Sequence, residues 1–331
     1  MGMAAFFSMV PKAQAQYAGH VSTLVMDAAS GRVLSETDAD LQRYPASLTK
    51  MMTLYLTFRA IDEGRLSLDQ RIAITPHAAS MEPSKLGLRP GSTLTVYEAV
   101  MALVTKSAND AACALGEYLG NGSEPRFANA MSDQARALGM RNTTFRNASG
   151  LPNPDQVTTA RDLAILARHL IKDFPQFYPY FSAKEFYFRG RMLPNHDTLL
   201  RLYAGADGLK TGYTGAAGHN LVSSAVQGQS RLIGVVMGAS SNNIRNLIMM
   251  DQLDNGFTAM GQTPYARPTY VAPRRSPLLY VHYHRSRPQH STLRMATWRH
   301  YTHHLTFSSH AAHATHAKHG KAHAVLHKRH H

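Results

Sequence analysis

The chain has 331 residues, 44% of them apolar and 17% charged, and carries a formal net charge of +14. That length and apolar content fit a folded body with a sizeable core. No apolar run reaches the ~18 residues of a spanning helix, and the single cysteine, Cys113, excludes an internal disulfide and a cysteine-rich metal site.

The charge is unevenly placed. Residues 258–331 hold 11 of the 35 basic residues, 14 of the 19 histidines and no acid, which leaves the rest of the chain at only +3. The global charge therefore says little about chemistry in the body.

In chain order, Met3 to Val10 is a short apolar stretch, and Ala13-Gln14-Ala15 has the small-x-small pattern that signal peptidase cuts. Residues 1–15 thus predict an export signal whose basic leading segment is missing, so that the true start lies upstream. His20 to Asp27 and Arg32 to Thr37 flank the turn Ala28-Ala29-Ser30-Gly31 and predict a β-hairpin. Helices follow at about Ser47 to Glu63, Val96 to Thr105, Asn109 to Leu119 and Pro125 to Leu138. Thr159 and Asp162 form a cap pair before the apolar run Leu163 to Leu170. Strands are expected at Glu185 to Met192, Asn220 to Val226 and Arg231 to Met237, and a last helix at Asn243 to Leu253. Strands at both ends with helices between predict an α+β fold: one antiparallel sheet, flanking helices and an inserted helical lobe, with a cleft between lobe and sheet. The folded body should cover 16–257, with 258–331 as a basic, His-rich extension too poor in apolar surface to fold.

Three motifs carry the chemistry. Ser47-Leu48-Thr49-Lys50 opens the first helix, Ser107-Ala108-Asn109 joins the second and third, and Lys210-Thr211-Gly212 starts the late sheet. A serine hydroxyl needs a base to become a nucleophile. Lys50, three residues on, shares a helix face with Ser47. It serves as a base only if its pKa falls, and burial near Lys210 would do that. Asn109 can hold a substrate amide, and Ser107 can relay a proton to a leaving amine. Lys210 and Thr211 can bind a carboxylate, and an edge strand carrying them can take an extended peptide by strand addition. Gly212 lets that peptide approach the backbone. Each motif alone is weak; their order and settings together are specific.

The set resembles the penicillin-binding and serine β-lactamase superfamily. Its flanks, Tyr44-Pro45-Ala46 before Ser47, Asp110-Ala111-Ala112 after Asn109, Asp207-Gly208-Leu209 and Tyr213-Thr214 about the late motif, and Ser149-Gly150-Leu151, resemble the low-molecular-weight D-alanyl-D-alanine carboxypeptidases over roughly residues 20–257. The resemblance implies a β-lactamase/transpeptidase-like fold and removal of the terminal D-Ala from peptidoglycan stem peptides through an acyl-serine. Ser47 would be the nucleophile, Lys50 its base and Ser107 the proton relay. Asn109, Lys210, Thr211, Gly212 and Tyr213 would bind substrate, with the N–H groups of Ser47 and Tyr213 as oxyanion hole. Arg245 resembles a family arginine near the substrate carboxylate, and His196 a polar position beside the cleft. β-Lactams would acylate Ser47 as covalent inhibitors. No cofactor, metal or nucleic acid is implied, and the site of action is the periplasm or cell envelope. The β-rich second domain and amphipathic anchor of many relatives are not evident.

A D,D-endopeptidase acting on cross-links would use the same motifs. A catalytically vestigial cell-wall binding protein is the reading from another class. A β-lactamase would need a deacylating glutamate, and the one Glu-x-x-x-Asn match, Glu117 with Asn121, ends the third helix too close behind Asn109. The extension reads either as a solvated tail or as a polycation for anionic envelope polymers. Cys113 reads as a small core residue.

Overall fold

The computed structural model describes residues 20–267. The signal-like residues 1–15 and nearly all of the basic extension lie outside them. The amino-terminal hairpin forms as β1 (Ser22–Asp27) and β2 (Val33–Thr37). A short 3-10 turn, Ala46–Thr49, leads into α1 (Lys50–Asp62). Next come β3 (Arg71–Ala73), α2 (Pro76–Ala79), β4 (Thr93–Thr95), α3 (Val96–Val104), α4 (Asn109–Leu119), α5 (Glu124–Ala137) and α6 (Ala160–Asp173). The hairpin β5 (Glu185–Phe188) and β6 (Arg191–Pro194) precedes α7 (Leu199–Leu202). The chain then returns as β7 (Ala206–Thr214), β8 (Gly218–Gln227), β9 (Ser230–Ala239) and α8 (Asn242–Ala259).

The main sheet has the order β2-β1-β9-β8-β7, so the first hairpin pairs with the last three strands. Every pairing is antiparallel. Period-two alternation divides the side chains between two layers. Leu24, Met26, Ile233, Val235 and Met237 pack into the large core shared with α1 and α3 to α6. Val25, Leu232 and Val236 point the other way, onto Met249, Leu253 and Phe257 of α8. Both faces are covered, and β7 is left as an edge. The expected fold class holds, with the helical lobe inserted between strands β2 and β7.

Local chemistry sets the helix starts. Thr95 and Glu98 form a reciprocal capping box on α3. Thr159 caps α6 by accepting from the Asp162 N–H at 3.1 Å. The Asp162 carboxylate does not return that bond; it accepts from Asn142 N–H and Thr143 Oγ1 at 2.8 and 2.7 Å, tying the preceding loop to the helix.

Three differences from the sequence reading have physical causes. The expected single strand over Glu185 to Met192 is a hairpin, because Arg189 and Gly190 both take positive φ, 49° and 78°, and reverse the chain. The last helix runs on to Ala259, past the expected end at Leu253. Beyond it, Arg267 pairs with Asp251 at 2.7 Å and Gln262 Nε2 donates to Ser230 Oγ at 2.7 Å. The described body thus extends beyond residue 257. The first helix begins with a 3-10 turn, so Ser47 stands just ahead of α1 rather than within it.

Candidate active site

Three elements converge: the turn before α1, the start of α4 and the edge strand β7. The turn is held tightly from behind. Asn220 on β8 donates through Nδ2 to the Tyr44 and Pro45 carbonyls at 3.0 and 3.3 Å, while its Oδ1 accepts from Gly238 N–H at 2.9 Å. Ala46 takes φ +49°, a conformation that L-residues rarely adopt. Gly150 packs against this residue so closely that a Cβ there would lie 1.9 Å from the Ala46 carbonyl oxygen. Strand β7 approaches from the front: a Cβ on Gly212 would sit 3.1 Å from both Pro45 O and Ser47 N.

Lys50 is completely buried, and its ammonium end has three neighbours. Nζ lies 3.1 Å from Ser47 Oγ, 2.7 Å from Asn109 Oδ1 and 2.5 Å from the Ser149 carbonyl. Asn109 Nδ2 donates to the Glu82 carbonyl at 2.8 Å, which fixes its Oδ1 toward the lysine. Burial is the main reason that Lys50 titrates well below an ordinary lysine; repulsion from Lys210 adds to it and Asp110 opposes it. A neutral amine has two N–H donors and one lone pair. Asn109 Oδ1 and Ser149 O can only accept, so they take both donors and leave the lone pair for the Ser47 hydroxyl.

Asp110, also fully buried, holds the loop above α4. Its carboxylate accepts from the N–H groups of Leu86, Gly87 and Leu88 at 3.0, 2.9 and 3.1 Å. Ser107 takes φ +59° before α4, and its buried Oγ has no hydrogen-bond partner among the described residues.

On β7, Lys210 is 1% exposed, donates to the Thr211 carbonyl at 2.9 Å, and titrates at about 7. Burial is the largest cause; Asp197 opposes it and Arg245 reinforces it. Thr211 is buried and Tyr213 exposed, stacked on His219 with ring centres 4.3 Å apart. His219 Nδ1 lies 3.1 Å from Asn242 Oδ1. Asn242 and Asn246 in turn accept from Arg245, each at 2.8 Å, fixing that buried guanidinium in the first turn of α8. An open cleft lined by Tyr44, Pro45, Leu151, Pro152 and Thr214 flanks the serine's turn.

The structure joins Ser47, Lys50 and Asn109 by direct contacts, sets Gly212 against the serine's turn, and brings Lys210 near Lys50, His196 and Arg245, with two refinements to the sequence reading. Asn109 has both ends of its amide engaged by Lys50 and Glu82, so it orients the lysine in addition to anything it offers a ligand. His196 presents an exposed side chain, while its backbone N–H donates to the Thr105 carbonyl at 3.1 Å. Loss of solvation and the cations Lys210, Lys106 and Lys50 hold its imidazole neutral down to about pH 4.

Sequence reasoning missed Asp197, Asn242, Asn246 and the Ser149 carbonyl. Asp197 is 2% exposed; its Oδ1 accepts from Leu199 N–H at 3.0 Å, while Oδ2 has no partner among the described residues. Burial pushes its carboxyl above the usual range, against the pull of Arg245 and Lys210. Its only sequence signal was its place beside His196.

This architecture, an antiparallel sheet with an inserted helical lobe and a serine–lysine pair at their junction, is that of the penicillin-recognising serine hydrolases. Residues 9–241 match the family model of the D-alanyl-D-alanine carboxypeptidases, peptidase S11, and the chain belongs to that family. It is 36% identical to D-alanyl-D-alanine carboxypeptidase DacF of Bacillus subtilis, over 76% of this chain and 66% of that one. With DacC of Escherichia coli it shares 41% identity over 67% of this chain and 57% of the relative. The chain thus spans about three-fifths of the length of these curated relatives. Among solved structures, penicillin-binding protein D2 of Listeria monocytogenes in its ampicillin-bound form superposes with a TM-score of 0.63 at 32% identity. That match covers 71% of this chain and 96% of the other.

Proposed function

We propose that this chain is a serine D,D-carboxypeptidase that removes the terminal D-Ala from peptidoglycan stem peptides through an acyl-Ser47 intermediate. One observation carries the reading. Lys50 is buried, its pKa is held well below an ordinary lysine's, and its Nζ lies 3.1 Å from Ser47 Oγ with Asn109 Oδ1 and the Ser149 carbonyl as its other two neighbours, so that in the neutral amine the lone pair is left for the serine hydroxyl. Family membership and the ampicillin-bound neighbour support the same chemistry.

The steps follow from the geometry. Lys50 takes the hydroxyl proton as Ser47 Oγ attacks the carbonyl of the D-Ala-D-Ala bond. The developing oxyanion faces the N–H groups of Ser47 and Tyr213, which the tight Gly212 contact holds close together. Ser107, whose hydroxyl is otherwise unpartnered, passes the proton to the departing amine. Lys210 and Arg245 supply the positive field for the terminal carboxylate, the Thr211 hydroxyl donates a hydrogen bond to it, and β7 as an edge strand takes the extended stem peptide. Water then hydrolyses the acyl-serine.

The folded unit assigned to this activity begins after the signal-like segment, and the substrate puts it in the periplasm or cell envelope. No described helix is long and apolar enough to cross a membrane. β-Lactams act as covalent inhibitors by the same attack. The basic extension, outside the described residues, is read as a contact to anionic envelope polymers.

The test is D-Ala release from a pentapeptide ending in D-Ala-D-Ala, with Ser47→Ala alongside. Release abolished in the variant supports the reading; release that survives it refutes the mechanism. Activity confined to a cross-linked dimer would assign an endopeptidase instead.

A further inference from the structure

A second cluster of reactive side chains lies one to two turns along α4 from Asn109. Cys113 and Glu117 follow Asn109 at intervals of four, so they continue its helix face away from the serine. His77 of α2 covers them. Its Nδ1 lies 2.8 Å from Glu117 Oε1 and 3.4 Å from Cys113 Sγ. One ligating atom from each of the three residues lies within 4.8 Å of the other two. A second carboxylate, Glu124 at the start of α5, has Oε2 4.0 Å from His77 Nε2.

The surroundings are prepared for a cation. Both glutamates are 8% exposed, yet no Lys or Arg pairs with either among the described residues; the His77 imidazole is the basic side chain they face there. Each carboxylate is oriented by a further bond. Glu117 Oε2 accepts from Thr75 Oγ1 at 2.7 Å, and Glu124 Oε1 accepts from Ala148 N–H at 2.9 Å. Such outer contacts aim metal-binding carboxylates in known sites. The donor types are one thiol, one imidazole and carboxylate oxygen, a set that suits zinc and its neighbours rather than calcium or magnesium.

We propose that His77, Cys113 and Glu117 bind a divalent transition-metal ion, zinc by donor type, with Glu124 or water completing the shell. Ligands at about 2.0–2.3 Å from a tetrahedral zinc stand about 3.3–3.6 Å apart. The Cys113–His77 distance already fits. The His77–Glu117 distance must open by about half an ångström, and the half-exposed His77 ring can swing to do so. The thiol loses its proton to solvent on binding, and no redox step is involved. The ion would join α2, α4 and the first turn of α5. It would also brace the segment whose next carbonyl, that of Ser149, holds Lys50.

The fourteen histidines of residues 258–331 also attract metals, so bulk binding cannot locate the ion. Cys113 is the only thiol, so a thiolate-to-cobalt charge-transfer band reports this site alone. The full chain, stripped with chelator, is titrated with cobalt(II), beside Cys113→Ser, His77→Ala and Glu117→Gln. Zinc-dependent thermal shifts are recorded for all four proteins. The expected result is a band in the parent, none in Cys113→Ser, and affinity at least about tenfold weaker in the other two. Zinc should raise the parent's melting temperature more than any variant's. Absence of the band at saturating cobalt in folded parent overturns the proposal. A band indifferent to His77 and Glu117 overturns it equally, as do equal zinc shifts in all four proteins, which would mean binding by the extension only. His77→Ala alters a half-exposed side chain, so the test does not depend on the buried Cys113→Ser variant folding well.

Discussion

Replacing Gly150 by alanine probes how closely the turn that carries Ser47 is built. Two effects combine. Gly150 has φ +86°, which costs an alanine about 1 kcal/mol. Its new Cβ would lie 1.9 Å from Ala46 O and 2.9 Å from Ser47 N. A carbon and a carbonyl oxygen rest at about 3.3 Å, so the turn must retreat by about 1.4 Å. Misplacing a reacting group by about 1 Å costs on the order of a hundredfold in rate, equivalent to ~2.7 kcal/mol on the barrier. Gly64→Ala is the control: φ is +70°, but nothing lies within 4 Å of the new Cβ. It carries the backbone strain without the displacement. The assay pairs thermal unfolding with kcat/KM for D-Ala release and with the rate of covalent labelling by a β-lactam. Both variants should lose stability, and only Gly150→Ala should lose at least about a hundredfold in both rates. A Gly150→Ala enzyme within about threefold of the parent would refute the claim that this contact positions Ser47.

Further outcomes follow from the charges. Lys210 titrates at about 7 in the folded chain against 10.5 ordinarily. Between those values the unfolded chain holds the extra proton, so this group's contribution to stability rises with pH across that window, and its full penalty is present below pH 7. Lys210→Met should therefore be more stable than the parent at pH 6, by roughly 5 kcal/mol at most. The gap should narrow toward pH 9 in denaturant titrations, while D-Ala release is lost; a gap that does not change with pH would contradict the assignment. Asp197→Asn removes the carboxylate that supports the charge on Lys210, so KM at pH 7 should rise about tenfold with a smaller change in kcat. Equal falls in kcat and kcat/KM would instead indicate a role confined to the transition state. Asp110→Ala leaves three backbone N–H groups above α4 without their acceptor, and unfolding should become easier by about 3 kcal/mol or more in denaturant titration. A loss under about 1 kcal/mol would mean that water replaces the carboxylate.

The sequence disclosed those parts whose function demands residues at fixed spacing. Ser47, Lys50, Ser107, Asn109 and Lys210 stood in short motifs, and the periodic helices α1 and α3 to α6 were readable within a few residues. Strand β7 was harder to see. Its Gly, Lys and Thr show no apolar alternation, because the strand is covered by the turn before α1 and by the 3-10 turn Tyr178–Ser182 rather than by a simple core face. The three-residue strands β3 and β4 are too short to show a period. The reversal between β5 and β6 rests on an Arg-Gly pair, a weaker turn signal than Asn-Gly. Asp197 was invisible for a different reason: its importance comes from Lys210 and Arg245, thirteen and forty-eight positions away, and only folding brings the three charges together. The cluster on α4 was hidden likewise, since His77 joins Cys113 and Glu117 only when α2 packs on that helix.

The clamp of Asn220 on Tyr44 and Pro45 spans up to 176 positions of sequence. The proposed serine–lysine site therefore cannot be complete during synthesis until the last strands of the sheet have been made and docked. A polypeptide released or nicked before β8 would display the serine without the geometry that activates it. If the proposed acylation holds, a fluorescent penicillin would label completed molecules only, and separate them from partly assembled ones that a stain for total protein would score alike.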